Sequence, residues 1–198
     1  MGPADPQPVQ TSTEQPPDNG EQWRAADVPD ALPADPVLVS WLTNRGSLTH
    51  RLQARGQDRF ALEVVDEGHE TATPCDSALL GTGDRQFYAR RVRLGVRGEL
   101  LVHACTLVPE QTLAAHPWLS ELGNRPLGDA LADREDVERT PFEYAWIRSG
   151  RSPLSAALRQ LDIRPPGLWG RRSRFLVAGE PILVYEFFLP GLATFGPA

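Results

Sequence analysis

The sequence predicts an α+β fold, an antiparallel sheet with helices packed on it. Three observations carry this expectation. Segments whose apolar residues recur with period two outnumber the candidate helices. The clearest strands follow one another through turns of two to four residues, which is hairpin spacing rather than the helical crossover that parallel strands need. A chain of 198 residues also supplies one core of ordinary size, so sheet and helices belong to a single domain.

Residues 1–22 carry Pro3, Pro6, Pro8, Pro16 and Pro17 among polar side chains, a composition that buries too little apolar surface to order itself. They are expected to be a disordered tail, with the domain running over 23–198. In "DPVLVSWLTNRGSLTHRLQARG", Asp35 can cap a helix, Pro36 suits its first position, and Val37, Leu38, Trp41 and Leu42 form its apolar stripe. A second short helix follows the break at Asn44 to Gly46, over residues 47–55. A strand is expected at "FALEVVDE", 60–67, and the best strand pair is "FYARRVRLGVRGELLVHACTLVP", 87–109, turning on Arg97-Gly98. Further helices are expected in "LSELGNRPLGDALAD" and "SPLSAALRQLD", a strand in "FEYAWI", and a last hairpin in "RFLVAGEPILVYEFFLP".

Charge and composition narrow the chemistry. Twenty basic against 26 acidic residues give a net charge of -6, which argues against nucleic acid or an anionic membrane as the main partner. All the basic residues are arginine. Without lysine there is no Schiff base, hence no pyridoxal or lysine aldol chemistry, and no Walker phosphate loop. Cys75 and Cys105 lack C-x-x-C spacing and His50, His69, His103 and His116 form no H-x-x-x-H pair, so no metal site is expected. No G-x-S-x-G occurs, which disfavours a serine hydrolase. The "MGPADPQPVQ" start lacks a basic-then-apolar leader and no apolar run reaches membrane-spanning length. A cytoplasmic, monomeric protein is expected.

Two charged residues stand where charge is costly. Period two places Arg90 on the apolar face of its strand with Tyr88, Val92 and Leu94, and Glu186 interrupts the run "ILVYEFFL". Glu186 must be paired, protonated or facing a cavity, Arg90 poses the complementary problem, and the economical arrangement has both in one enclosed site, each tempering the other. Such a site would hold a carboxylate, with Glu186 handling protons, although a purely structural Arg-Glu pair satisfies the same pattern. "RRSR", 171–174, reads as a solvated or loop-holding cluster, "DREDVER", 133–139, as a solvated helix end or loop. With Arg97-Gly98 as a two-residue turn, Val92 pairs with His103 and Arg90 with Cys105, which turns Cys105 toward the same cavity.

"GLWGRRSRF" followed by "GEPILVYEFFLP" resembles the C-terminal signature of the bacterial chorismate lyases, which remove pyruvate from chorismate to leave 4-hydroxybenzoate for ubiquinone synthesis. The resemblance extends back through "NRPLGDAL" and "FYARRVRL…GELLVHACTLVP" to "WLTNRGSLTHRLQARG", roughly residues 25–190. It implies about six antiparallel strands, helical flaps over a buried ligand cavity, and no cofactor. It also implies that Arg90 binds a carboxylate, that Glu186 acts in catalysis, and that Leu48 and Leu127 lie against the ligand. Three departures stand out. Leu48 replaces an expected methionine, residues 149–166 look inserted, and Ala104-Cys105-Thr106 stands where the family has Gly-Arg-Thr, so that Cys105 should loosen the hold on product. "GLWGRRSRF" itself carries no catalytic assignment; Trp169 is expected to anchor a loop and the arginines to hold backbone and carboxylates. The alternative from another class is a non-enzymatic ligand-sensing domain of the same fold, but the Pro-rich, acidic residues before Trp23 do not resemble a DNA-binding segment.

Overall fold

The structure, a computed structural model, describes residues 23–25, 27, 32–71, 73–148 and 167–195. The proline-rich tail, the insertion at 149–166 and the helix expected within it lie outside the described residues. The helical elements are α1 (Pro36–Leu42), α2 (Leu48–Gly56), α3 (Pro74–Leu80), α4 (Glu110–Ala115) and α5 (Leu127–Ala132). The strands are β1 (Arg24–Ala25), β2 (Phe60–Thr71), β3 (Gln86–Val96), β4 (Glu99–Pro109), β5 (Val137–Arg139), β6 (Glu143–Arg148), β7 (Gly167–Val177) and β8 (Glu180–Phe188). They form one antiparallel sheet in the order β1-β6-β7-β8-β4-β3-β2, with β5 beside β7. The six expected strands are the long ones, and the short β1 and β5 bring the number among the described residues to eight. Among the described residues no helix is long and apolar enough to cross a membrane.

The helix starts follow their capping chemistry. Asp35 accepts from the backbone N–H of Val37 at 2.8 Å with Pro36 at the first helical position, and Ser47 accepts from His50 N–H at 3.1 Å to begin α2. α1 buries Trp41 and Leu42, and the guanidinium of Arg51 from α2 lies 3.8 Å from the Trp41 ring centre, joining the two short helices. The expected helix over 119–133 is instead a 3-10 turn at Pro117–Ser120 and the short α5, because Gly123 and Pro126 interrupt it.

Two layers of side chains flank the sheet. Val92, Leu94, Val102, Tyr144 and Phe188 pack with α1 and α2 on one face. On the other, Ala89, Cys105, Leu107, Leu183, Tyr185 and Phe187 pack against Leu80 of α3. Buried Asp76 of α3 accepts from the Tyr185 hydroxyl at 2.9 Å, and buried Arg91 reaches Asp66 and both oxygens of Glu70 at 2.7–2.9 Å, so these two charged groups of the second face are paired.

The central hairpin turns as expected, on Arg97 and Gly98 with φ of 57° and 82°, and Val96 pairs with Glu99. The register then changes. Gly95 pairs with Leu100 but Leu94 pairs with Val102, leaving Leu101 as the extra residue of a β-bulge. Gly95 permits it, since a Cβ there would meet the Glu99 carbonyl oxygen at 2.7 Å. One extra residue exchanges the faces of everything beyond it. Arg90 therefore pairs with Thr106, and Cys105 pairs with Arg91 on the far side of the sheet. The expectation that Cys105 faces the ligand is corrected. Its thiol is wholly buried among apolar side chains, and burial pushes its pKa up to about 12.

The same shift pairs His103 with Arg93 and Phe187. The ring is buried and neither nitrogen has a hydrogen-bond partner among the described residues. Burial, then the charges of Arg93 and Arg91, lower its pKa from 6.5 to about 4. In the unfolded chain this histidine takes up a proton near pH 6.5 while the folded protein does not until about pH 4, so stability falls as pH falls through that window. About 3 kcal/mol should be lost to this group, on the order of 1.4 per pH unit. Urea unfolding at pH 4.5 and 7 should show His103→Phe to be less acid-sensitive than wild type, and equal acid losses in both proteins would remove His103 as the cause.

Candidate active site

The cavity lies between the sheet and the N-terminal ends of α2 and α5. Period two on four strands supplies its floor: Arg90, Val92 and Leu94 from β3, Ala104 and Thr106 from β4, Val184 and Glu186 from β8, and Arg171, Ser173 and Phe175 from β7. Leu48 and Thr49 cover it from α2, Leu127 and Gly128 from α5, and Arg139 and Phe142 close one side. The two helices meet above it. A Cβ on Gly128 would stand 3.1 Å from Ser47 Oγ, so glycine permits this approach, and Asp129 holds His50 Nε2 at 3.2 Å and accepts from Gln53 at 3.4 Å. All four residues expected at a ligand site, Arg90, Glu186, Leu48 and Leu127, thus line one cavity.

Their pairing differs from the expectation. Arg90 and Glu186 share the cavity but are not each other's counter-ion. Arg90 Nε lies 3.3 Å from Glu67 Oε2, too poorly aligned to hydrogen-bond, and its Nη2 donates to the Gly123 carbonyl. Burial lowers its pKa, with Glu67 opposing. Nη1 of Arg90 has no hydrogen-bond partner among the described residues.

Glu186 pairs with Arg171, its direct cross-strand neighbour, whose Nε donates to Oε2 at 2.5 Å. The same guanidinium, 1 % exposed, sends Nη1 to the carbonyls of Trp41, Leu42 and Asn44 at 2.9–3.2 Å, at and just beyond the end of α1, where backbone carbonyls lack intrahelical donors. One rigid planar group thus fixes the carboxylate and the chain that enters α2. Oε1 of Glu186 has no hydrogen-bond partner among the described residues.

"GLWGRRSRF" is a strand, not a loop. Arg171 and Ser173 face the cavity, Arg172 pairs with Glu143 at 2.7 Å, and Trp169 packs edge-on to Trp146 within the sheet rather than anchoring a loop. The arginines do hold backbone and carboxylates, as expected. "DREDVER" needs correction at its end, where β5 pairs with β7 and brings Arg139 into the cavity wall. Arg139, Thr106 and Ser173 are not expected at the cavity from the sequence, and Arg171 is expected only to hold backbone and carboxylates. For Arg171 and Ser173 the signal was available, since reading 167–177 as one strand puts 171, 173 and 175 on a single face.

Three arginines face one glutamate in an otherwise mostly apolar chamber, an arrangement suited to an anionic, partly apolar ligand. The sequence model described as chorismate lyase matches residues 19–195. The "Probable chorismate pyruvate-lyase" of Thiobacillus denitrificans is 36 % identical over 84 % of this chain and 90 % of that protein. The protein of the same description from Methylococcus capsulatus is 38 % identical over 79 % of this chain and 97 % of its own length. Among solved structures, the effector domain of PhnF from Mycobacterium smegmatis is similar with a TM-score of 0.49 and 20 % identity, covering 75 % of this chain and 91 % of that one. The match over nearly the whole length, with relatives more than a third identical, places the chain in the chorismate lyase family.

Proposed function

We propose that the protein converts chorismate to 4-hydroxybenzoate and pyruvate, the entry step of ubiquinone biosynthesis, in this cavity and without a cofactor. The observation that carries the reading is that Arg90 and Glu186 line one chamber under Leu48 and Leu127, with Nη1 of the one and Oε1 of the other not engaged by the described protein.

Chorismate joins an enolpyruvyl ether to a ring one elimination short of aromatic. The ether C–O bond breaks with its electron pair on the departing oxygen, the neighbouring ring carbon loses its proton, and the enolpyruvyl methylene gains one. One proton is lost and one gained, so a carboxylate that accepts and returns it completes the cycle. Arg90 grips the ring carboxylate, Leu48 and Leu127 hold the ring against the sheet, and the covered chamber excludes water while the substrate is held in a reactive pose. Glu186, oriented through Oε2 by Arg171, turns Oε1 to the reacting edge.

Purified protein mixed with chorismate should yield 4-hydroxybenzoate and pyruvate in equal amounts; binding of the aromatic acid without turnover would favour the ligand-sensing alternative. Arg90→Ala should weaken 4-hydroxybenzoate binding by about 2–5 kcal/mol, the cost of losing a buried charged contact. Titration calorimetry on a folded variant checks this, and unchanged affinity would remove Arg90 from the site.

A further inference from the structure

The three cavity arginines are not equally occupied. Arg171 is committed to Glu186 and three backbone carbonyls, and Arg90 has Glu67 beside it. Arg139 has no carboxylate partner among the described residues. It spends one nitrogen, Nη2, on the Arg45 carbonyl, and its guanidinium stands 4.4 Å from the Phe142 ring centre and 5.8 Å from that of Phe175. Both rings also line the cavity, and Glu186 is close enough for its charge to be felt at Arg139. A half-buried cation held between aromatic faces, with donors remaining and no carboxylate in contact among the described residues, is suited to seat an anion. Its pKa is lowered by burial and then by the charge of Arg171, so an anion arriving there relieves both.

The substrate proposed above carries two carboxylates, one on the ring and one on the three-carbon group that leaves. Arg90 accounts for the first. We infer that Arg139 seats the second, the carboxylate of the departing enolpyruvyl group, and so distinguishes substrate from product. This rests on the chorismate reading of the cavity. Arg139 grips the dianionic substrate and releases its hold once the ether is cut, because 4-hydroxybenzoate keeps only the carboxylate at Arg90. The remaining product, pyruvate, takes the other carboxylate away.

The test compares two ligands on one variant. R139Q removes the charge but keeps a donor for the Arg45 carbonyl. The probes are 4-hydroxybenzoate and 3-(1-carboxyvinyloxy)benzoate, an already aromatic dicarboxylate that cannot be lysed. R139Q should bind the dicarboxylate about 10- to 100-fold more weakly than wild type, raise KM for chorismate by a similar factor, and bind 4-hydroxybenzoate within about twofold of wild type. Equal weakening of both ligands would assign Arg139 to holding the α1–α2 connection instead, and unchanged dicarboxylate binding would overturn the seat outright. Should R139Q not fold, R139K carries the same comparison, with a loss of at least about threefold for the dicarboxylate alone. Wild-type protein that fails to turn over chorismate would instead overturn the reading on which this one stands.

Discussion

Glu186→Gln should fold and bind 4-hydroxybenzoate, yet turn over chorismate about two to four powers of ten more slowly than wild type. The amide keeps the size of the carboxylate and can still accept from Arg171 through its oxygen, so the cross-strand contact survives in shape. It cannot accept and return a proton. Rates from single-turnover mixing, read beside product affinity from calorimetry, separate the chemical step from binding. A fully active variant would mean that the proton passes within the substrate and that Glu186 only lines the wall.

The second large effect is on stability. Arg171→Met should cost about 3–5 kcal/mol, because it strands Glu186 without its partner and leaves the carbonyls of Trp41, Leu42 and Asn44 without their donor. The loss should be coupled to Glu186. Adding Glu186→Leu to Arg171→Met removes the stranded charge and should restore about 1–3 kcal/mol, while activity stays lost. Urea unfolding of the wild type, the single variant and the double variant measures this. A double variant less stable than Arg171→Met would show that the ion pair is not what the arginine chiefly supports.

What could be read from the chain alone depended on contrast. Arg90 and Glu186 stood out because each is a lone charge in an apolar run, and burying such a charge demands a reason. Arg171 and Arg139 are just as central to the cavity, but they sit in "RRSR" and "DREDVER", where charged neighbours hide them. The caps of α1 and α2 and the Arg97-Gly98 turn were legible because local hydrogen bonds and local φ preferences set them. The bulge at Leu101 was not. It depends on Gly95 admitting the Glu99 carbonyl and on which side chains the two layers accept, and only the packed sheet decides that. This one residue moved Cys105 from the cavity to the far core and put Thr106 opposite Arg90. Likewise the pairing of Glu186 with Arg171 rather than Arg90 follows from the strand order, since β7 and β8 are neighbours while β4 separates β8 from β3.

We propose that the aromatic acid forms in this chamber, with Arg90 at one end and Glu186 at the reacting edge. A crystal structure of the protein with 4-hydroxybenzoate tests it most directly. The carboxylate should lie within hydrogen-bond distance of Arg90 Nη1, the ring between Leu48 and Leu127, and the hydroxyl beside Glu186 Oε1. Product bound elsewhere, or in this chamber with its carboxylate away from Arg90, would contradict the account.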